Sequence, residues 1–195
     1  MGIGPYVICD IETTGLSKRF HKITEISAIK VVDGMAVDEF TTLINPQVSI
    51  PGYITHLTGI DDRMVRFAPT IEKTIPLFLE FLGPHPFVAH NASFDHGFLE
   101  YSSINHLGKK IANDRICTRR LAYRLLPELS SRRLDVLCQF FNVKNTQAHR
   151  AKADALAAKE IFEAMLAMLY EREIREKEEI LRFQTAPRKK YTARG

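Results

Sequence analysis

Two carboxylates stand one residue apart in the stretch "YVICDIETTGL", Asp10 and Glu12, at the end of an apolar run from Tyr6 to Ile11. Alternate residues of a strand share a face, so the two side chains would be held together. Like charges in that position repel. A hard divalent cation between them relieves the repulsion, because such ions prefer carboxylate oxygens. A cation needs further ligands, and the chain offers two more acids in suggestive settings. Asp95, in "VAHNASFDHGFLE", opens a helical pattern behind a second apolar strand. Asp154, in "AHRAKADALAA", follows His149 by five residues. Five helical steps turn about 500°, which would point the two side chains about 140° apart. They converge only if His149 sits on a loop and Asp154 within the helix that follows. Ala151, Ala153, Ala155, Ala157 and Ala158 surround Asp154 with small side chains, which lets that helix approach a sheet closely.

The elements that would carry these residues can be read from pattern. Tyr6–Ile11, Ile23–Val32 and Met35–Ile44 read as strands, with Asp33-Gly34 joining the last two as a hairpin. The segment "INPQVSIPGYITHLTG" reads as a loop, and Asp61–Val65 as a short helical turn. A helix is predicted over 71–82, with Pro76 inside it and Gly83 as its stop. "PFVAHN" is a short strand, Phe94–Leu107 a helix, 111–118 a strand, and Arg119–Leu126 and Leu134–Phe141 short helices. A long helical pattern runs from Ala151 to Arg182, with Leu156, Ile161, Phe162, Met165, Leu166 and Leu169 as its apolar stripe. Beyond Tyr170 it becomes charged, with Glu171–Arg175, Glu173–Lys177 and Glu178–Arg182 at i,i+4 spacing. That stretch reads as an exposed extension, or as a partner-binding arm using Ile174, Ile180 and Leu181. Strands alternating with helices after an opening hairpin indicate an α/β domain with a mixed sheet.

The chain has 195 residues, 45% of them hydrophobic and 26% charged, which suits one globular domain. No apolar run approaches the ~18 residues of a membrane span, and no signal-peptide pattern opens the chain. Cys9, Cys117 and Cys138 lie far apart without a CxxC pair, which argues against a zinc site or disulfide scaffold and fits a reducing, cytoplasmic setting. Arg188, Lys189, Lys190 and Arg194 account for the whole net charge of +4, so residues 1–186 are formally neutral. Within them, 109–133 is a basic stretch that either faces a polyanion or forms solvated helix faces. The expected organisation is one domain over 1–184, helical beyond about 170, and a basic, disordered tail over 185–195.

Taken in order, "DIETTGL", "HNASFD" and "HRAKADA" resemble the three motifs of the DEDDh family of 3′→5′ exonucleases, which includes the proofreading epsilon subunit of bacterial DNA polymerase III and ribonuclease T. "YITHLTGIDDRMV" and "RLDVLCQFFNV" also look like segments of the proofreading group. The resemblance covers about Tyr6 to Leu169. One departure is Cys117-Thr118, where Asp-Thr is common in the family.

The resemblance implies a ribonuclease H-like fold, with a central mixed five-stranded sheet flanked by helices. It implies two divalent cations, Mg2+ or Mn2+, held by Asp10, Glu12, Asp95 and Asp154, with His149 as general base. It places the terminal nucleotide against Thr13, Thr14, Gly15 and Leu16, with Leu57, Thr58, Asn91 and Phe94 completing the pocket. Gly15 would leave room for the nucleotide to approach the backbone. The implied activity is metal-dependent 3′→5′ hydrolysis of single-stranded DNA ends to nucleoside monophosphates, in proofreading or repair, beside a polymerase or another replication partner and away from membranes. A ribonuclease T-type exoribonuclease is the alternative on the same chemistry. A non-catalytic nucleic-acid-binding or polymerase-adaptor module is the alternative of another class.

Overall fold

A computed structural model describes residues 3–186. The basic cluster Arg188–Arg194, and the disorder expected for it, lie outside the described residues.

The chain opens with β1 (Tyr6–Thr13), β2 (Ile23–Val32) and β3 (Met35–Leu43), an antiparallel meander. Three helices follow, α1 (Gly52–Thr58), α2 (Asp62–Val65) and α3 (Ile71–Leu82), then β4 (Phe87–Ala89) and α4 (Ala92–Leu107). The remainder is β5 (Arg115–Cys117), α5 (Thr118–Leu125), α6 (Leu134–Phe141), α7 (Ala151–Tyr170) and α8 (Lys177–Thr185). The sheet order is β3-β2-β1-β4-β5, with β1 parallel to β4 and β4 parallel to β5. This is the mixed five-stranded sheet expected from the pattern.

The two-residue alternation of β1 sorts its side chains between two cores. Val7, Cys9 and Ile11 face α3 and α4, packing with Ile75, Phe78, Leu82, Phe98 and Leu99. Tyr6 and Ile8 face α5, α6 and α7, packing with Leu121, Leu137, Ile161 and Phe162. Asp10 and Glu12 continue the second set, so β1 aims both carboxylates at the α7 face. Opposite them, α7 presents Ala151, Ala155, Ala157 and Ala158, all buried. Leu156, expected in the apolar stripe, is instead exposed, because the alanine face is the one that meets the sheet.

Two segments differ from the sequence expectation. The Pro- and Gly-rich stretch contains α1, which starts after Pro51 and closes on a left-handed Gly59. Its small cluster, Ile50, Ile54, Ile60 and Val65, was hidden by the turn residues around it. The long helical pattern is two helices, broken after Tyr170. Residues 171–176 turn, with Glu173 at φ +61°, and α8 restarts with a capping box between Glu176 and Glu179. The expected i,i+4 ladder across 171–177 is therefore absent.

The returning α8 covers the edge of the sheet rather than projecting as an arm. Ile180 is buried in the α7-side core. Gln184 Oε1 accepts from the Cys117 backbone N–H at 2.9 Å, and its Nε2 donates to the Arg115 carbonyl at 2.7 Å. One side-chain amide thus replaces a sixth strand along β5, an edge that would otherwise expose unpaired backbone groups. Gln184→Leu is expected to leave the buried Cys117 N–H unsatisfied and destabilise the fold by about 1–3 kcal/mol. Chemical denaturation checks this, with nuclease activity retained at low temperature.

Candidate active site

Ligand sites in open α/β sheets lie beyond the carboxyl ends of the strands. Here β1 and β4 run together for only two registered pairs, Val7 with Phe87 and Ile8 with Val88, and then part. The gap frees the Ile11 N–H on the β4 side. Asp95, buried in the first turn of α4, fills it: its Oδ1 accepts that N–H at 3.3 Å. The α4 start is fixed by Asn91, in a left-handed conformation at φ +70°.

From the other face, α7 brings Asp154. Carboxylate oxygens of Asp10, Glu12 and Asp154 lie within 4.8 Å of one another. Asp95 stands outside this triad, tied to the strand between its first two members. His149 is on the loop before α7, as the spacing required, at φ +65°. Its backbone N–H donates to Asp154 Oδ2 at 3.1 Å, while its imidazole is exposed. A left-handed, non-glycine residue is strained, and such residues cluster at functional sites. Asn145 Nδ2 holds the other Asp154 oxygen at 2.5 Å.

Glu25 is a buried residue that the sequence reading passed over. It sits directly opposite Glu12 in the β1–β2 register. Its carboxylate accepts from Arg150 Nη2 at 2.7 Å, Arg150 Nε at 3.2 Å and the Ala151 N–H at 2.9 Å. A forked guanidinium and a helix N-terminus together compensate the buried charge. The same contacts pin the start of α7, one turn before Asp154, to β2. An acid inside the apolar strand "ITEISAIK" was the available signal.

The expected nucleotide-pocket residues fall in three places. Leu16 is 86% exposed. With Ser17, Lys18, Ser93 and Phe94 it lines a concavity of about 440 Å³. Thr13, Thr14 and Gly15 are buried in the turn itself: Thr13 Oγ1 donates to the Gly15 carbonyl, and Thr14 Oγ1 accepts from the Lys22 N–H. A Cβ at Gly15 would collide with the His21 imidazole, so this glycine makes room for His21. Leu57 and Thr58 line neither this concavity nor the cavity beside Asp154. The Thr58 hydroxyl is engaged within α1, donating to the Ile54 carbonyl and accepting from the Ile60 N–H.

The carboxyl groups resist ionisation. Burial, then the charges of Asp95, Glu12, Asp154 and Glu25, holds Asp10 well above the usual carboxylate range. Burial and the acids Asp154, Glu25 and Asp95 push Glu12 up to about 8, with Arg150 opposing. Burial pushes Asp95 to about 8 and raises Asp154, against the hydrogen bonds each accepts. The donor set fits hard divalent cations. It is all carboxylate oxygen, and oxygens sharing one ion at about 2.0–2.6 Å lie at most about 4–5 Å apart. A soft or zinc-type site would need the thiolate or imidazole ligands that the triad lacks.

The exonuclease family pattern matches residues 7–162, most of the chain. The chain belongs to the exonuclease family. A DNA polymerase III of PolC type from Caldanaerobacter subterraneus subsp. tengcongensis is 45% identical over 177 residues, 91% of this chain. The chain spans only 13% of that relative's length. The DNA polymerase III subunit epsilon of Aquifex aeolicus is 34% identical over 167 residues, covering 86% of this chain and 83% of the relative. The solved exonuclease X, in complex with 5′ overhanging duplex DNA, superposes with a TM-score of 0.71 at 26% identity, covering 92% of this chain and 99% of that one. The fold is ribonuclease H-like, as these exonucleases share it. Family members use divalent metals, and the acidic triad is where this exonuclease domain can hold them.

Raised carboxyl pKa values make the metal-free domain sensitive to alkali. Glu12 and Asp95 bind protons more tightly folded, at about 8, than unfolded, at the ordinary 4.5 and 3.8. The folded state then holds more protons across that window, so stability falls as pH rises from about 5 through 8. Thermal unfolding of chelator-treated protein is expected to show this decline, and added Mg2+ to flatten it. A melting temperature that rises over the same window contradicts the assignment.

Proposed function

We propose that this exonuclease domain removes nucleotides from the 3′ end of single-stranded DNA, releasing nucleoside monophosphates, in proofreading or repair. The observation that carries the reading is the all-oxygen triad of Asp10, Glu12 and Asp154 at the carboxyl end of β1, with Asp95 against the same strand. The relatives support the substrate: they are DNA polymerase III chains, and exonuclease X is held with DNA. The same names support a polymerase as partner, and we place the domain's work in the cytoplasm, as the scattered cysteines suggest. No helix among the described residues is long and apolar enough to cross a membrane.

Asp10, Glu12, Asp95 and Asp154 would hold two divalent cations, Mg2+ or Mn2+. When bound, such ions neutralise the phosphate, acidify the attacking water and stabilise the leaving 3′-oxygen. The chain's own residues do the rest. His149, exposed on its strained loop beside Asp154, accepts the proton of the attacking water as general base. Asn145 and the His149 backbone fix the Asp154 carboxylate, and Glu25 with Arg150 fixes the helix that carries it. Leu16 and Phe94 flank the terminal base, where stacking is tolerant of sequence. Thr13–Gly15 shape the turn that presents Leu16, and Asn91 sets the α4 entry. The proposed domain spans 1–184, with α8 an integral part.

Labelled single-stranded DNA and RNA oligonucleotides digested side by side test the reading. Stepwise 3′ shortening of DNA is expected with Mg2+ or Mn2+ and none after chelation. Asp10→Asn is expected to abolish it, and His149→Ala to slow it about 10²–10⁴-fold. Preference for RNA, or digestion from the 5′ end, contradicts the proposal.

A further inference from the structure

A second cavity, of about 660 Å³, adjoins the carboxylate triad at Asp154. It shares Asp154 and His149 with the site and no residue with the Leu16–Phe94 concavity. Its walls include His90, Arg119, Asn142 and Asn145. The volume lies within the roughly 300–1,000 Å³ of small-ligand sites, enough for one nucleotide.

Two of the lining residues each carry a buried polar atom without a hydrogen-bond partner among the described residues: Arg119 Nε and Asn145 Oδ1. An unmet buried donor on a cation is costly and marks a place where a ligand oxygen belongs. The other cations of the basic stretch 109–133 that have assigned contacts are already engaged. Arg132 donates through Nη2 to the carbonyls of Leu126 and Pro127; its Nε is also without a partner, but Arg132 does not line this cavity. Arg124 donates to the Ala186 carbonyl and lies over the Phe183 ring. Arg133, also on the cavity wall, is exposed and pairs with Asp135 at 3.2 Å. Of Arg119 and Arg132, Arg119 is the one that lines the cavity, and its Nε has no protein partner among the described residues. Its neighbour His90 is held by Thr118 Oγ1 at 2.9 Å, and burial together with the Arg119 charge pushes its imidazole down to about 4. At neutral pH His90 therefore adds no charge, and Arg119 supplies the positive potential there.

A 3′ end presents two parts to this groove, a terminal nucleoside and the strand behind the scissile phosphate. We propose that the 660 Å³ cavity seats the nucleotide on the 5′ side of the scissile phosphate, and that Arg119 binds that nucleotide's own phosphate. Guanidinium geometry suits this, offering a planar fork to phosphate oxygens. Asn145 Oδ1 accepts a donor from the same nucleotide. The inference rests on the nuclease reading above and adds a subsite to it.

Two substrates separate the subsite from the chemistry. One is an oligothymidylate. The other is the 5′-p-nitrophenyl ester of thymidine monophosphate, whose leaving group is no nucleotide. Arg119→Gln is expected to raise KM for the oligonucleotide about 10- to 100-fold, the scale of one lost charged hydrogen bond. It should leave ester hydrolysis within about twofold, which also shows that the variant folds. Arg119→Lys should recover part of the loss. Anisotropy of a fluorescein-labelled oligothymidylate, measured with chelator, reads binding without catalysis. There the salt slope of Arg119→Gln should fall by about 0.7, one phosphate contact on a single strand. Unchanged KM and salt slope overturn the proposal. So does a parallel loss on both substrates, which would place Arg119 in the reaction centre or the fold. If wild type binds the oligonucleotide through Arg119 but hydrolyses neither substrate, the subsite stands and the nuclease reading fails.

Discussion

The repulsion among Asp10, Glu12 and Asp154 is the constraint around which this domain is organised. Their oxygens crowd within 4.8 Å, half-buried or buried, with Asp95 and Glu25 close behind. Among the described residues, the cation that opposes the Glu12 shift is Arg150, and that guanidinium is committed to Glu25. The acids therefore remain uncompensated and hold their protons to higher pH than ordinary carboxyl groups unless a cation replaces them. A fold selected for stability alone would not gather them. The arrangement makes sense when the missing charge arrives from solution.

Every large element contributes to holding this conflict in place. The pleat of β1 puts both of its acids on the α7 face, and the buried alanines of α7 let the helix come close enough for Asp154 to join them. Glu25, Arg150 and the Ala151 N–H lock the helix start. The parting of β1 and β4 opens the space that Asp95 enters from α4. Behind the site, Gln184 of α8 closes the edge of β5, whose carboxyl end leads into Arg119. The edge that supports the cavity is thus sealed by the last described helix.

The chemistry was more legible in the sequence than the supports were. Period-two alternation placed Asp10 and Glu12 on one face. The five-residue gap between His149 and Asp154 required a loop-to-helix boundary there, which the structure has. Asp95 stands at a helix start, as its position behind an apolar strand suggested. Glu25 and Asn145 were missed because their roles depend on partners far away in the chain or on loop geometry, neither of which leaves a local period. The α7–α8 break was missed because charged residues that favour helices run through it, while the turn is set by packing of Ile180 against a distant core. Gly15 was read for the room it leaves a nucleotide, yet the neighbour its missing Cβ would meet is His21, six residues further along the loop, in no pattern a sequence displays.

If a cation resolves the carboxylate conflict, its binding must expel the protons that otherwise occupy the site. Calorimetric titration of the chelator-treated protein with Mn2+ near pH 7, repeated in buffers of different ionisation enthalpy, counts those protons directly. The account predicts net proton release on binding, reduced in Asp10→Asn together with affinity. Binding with no proton release, or with affinity unchanged in Asp10→Asn, would contradict it.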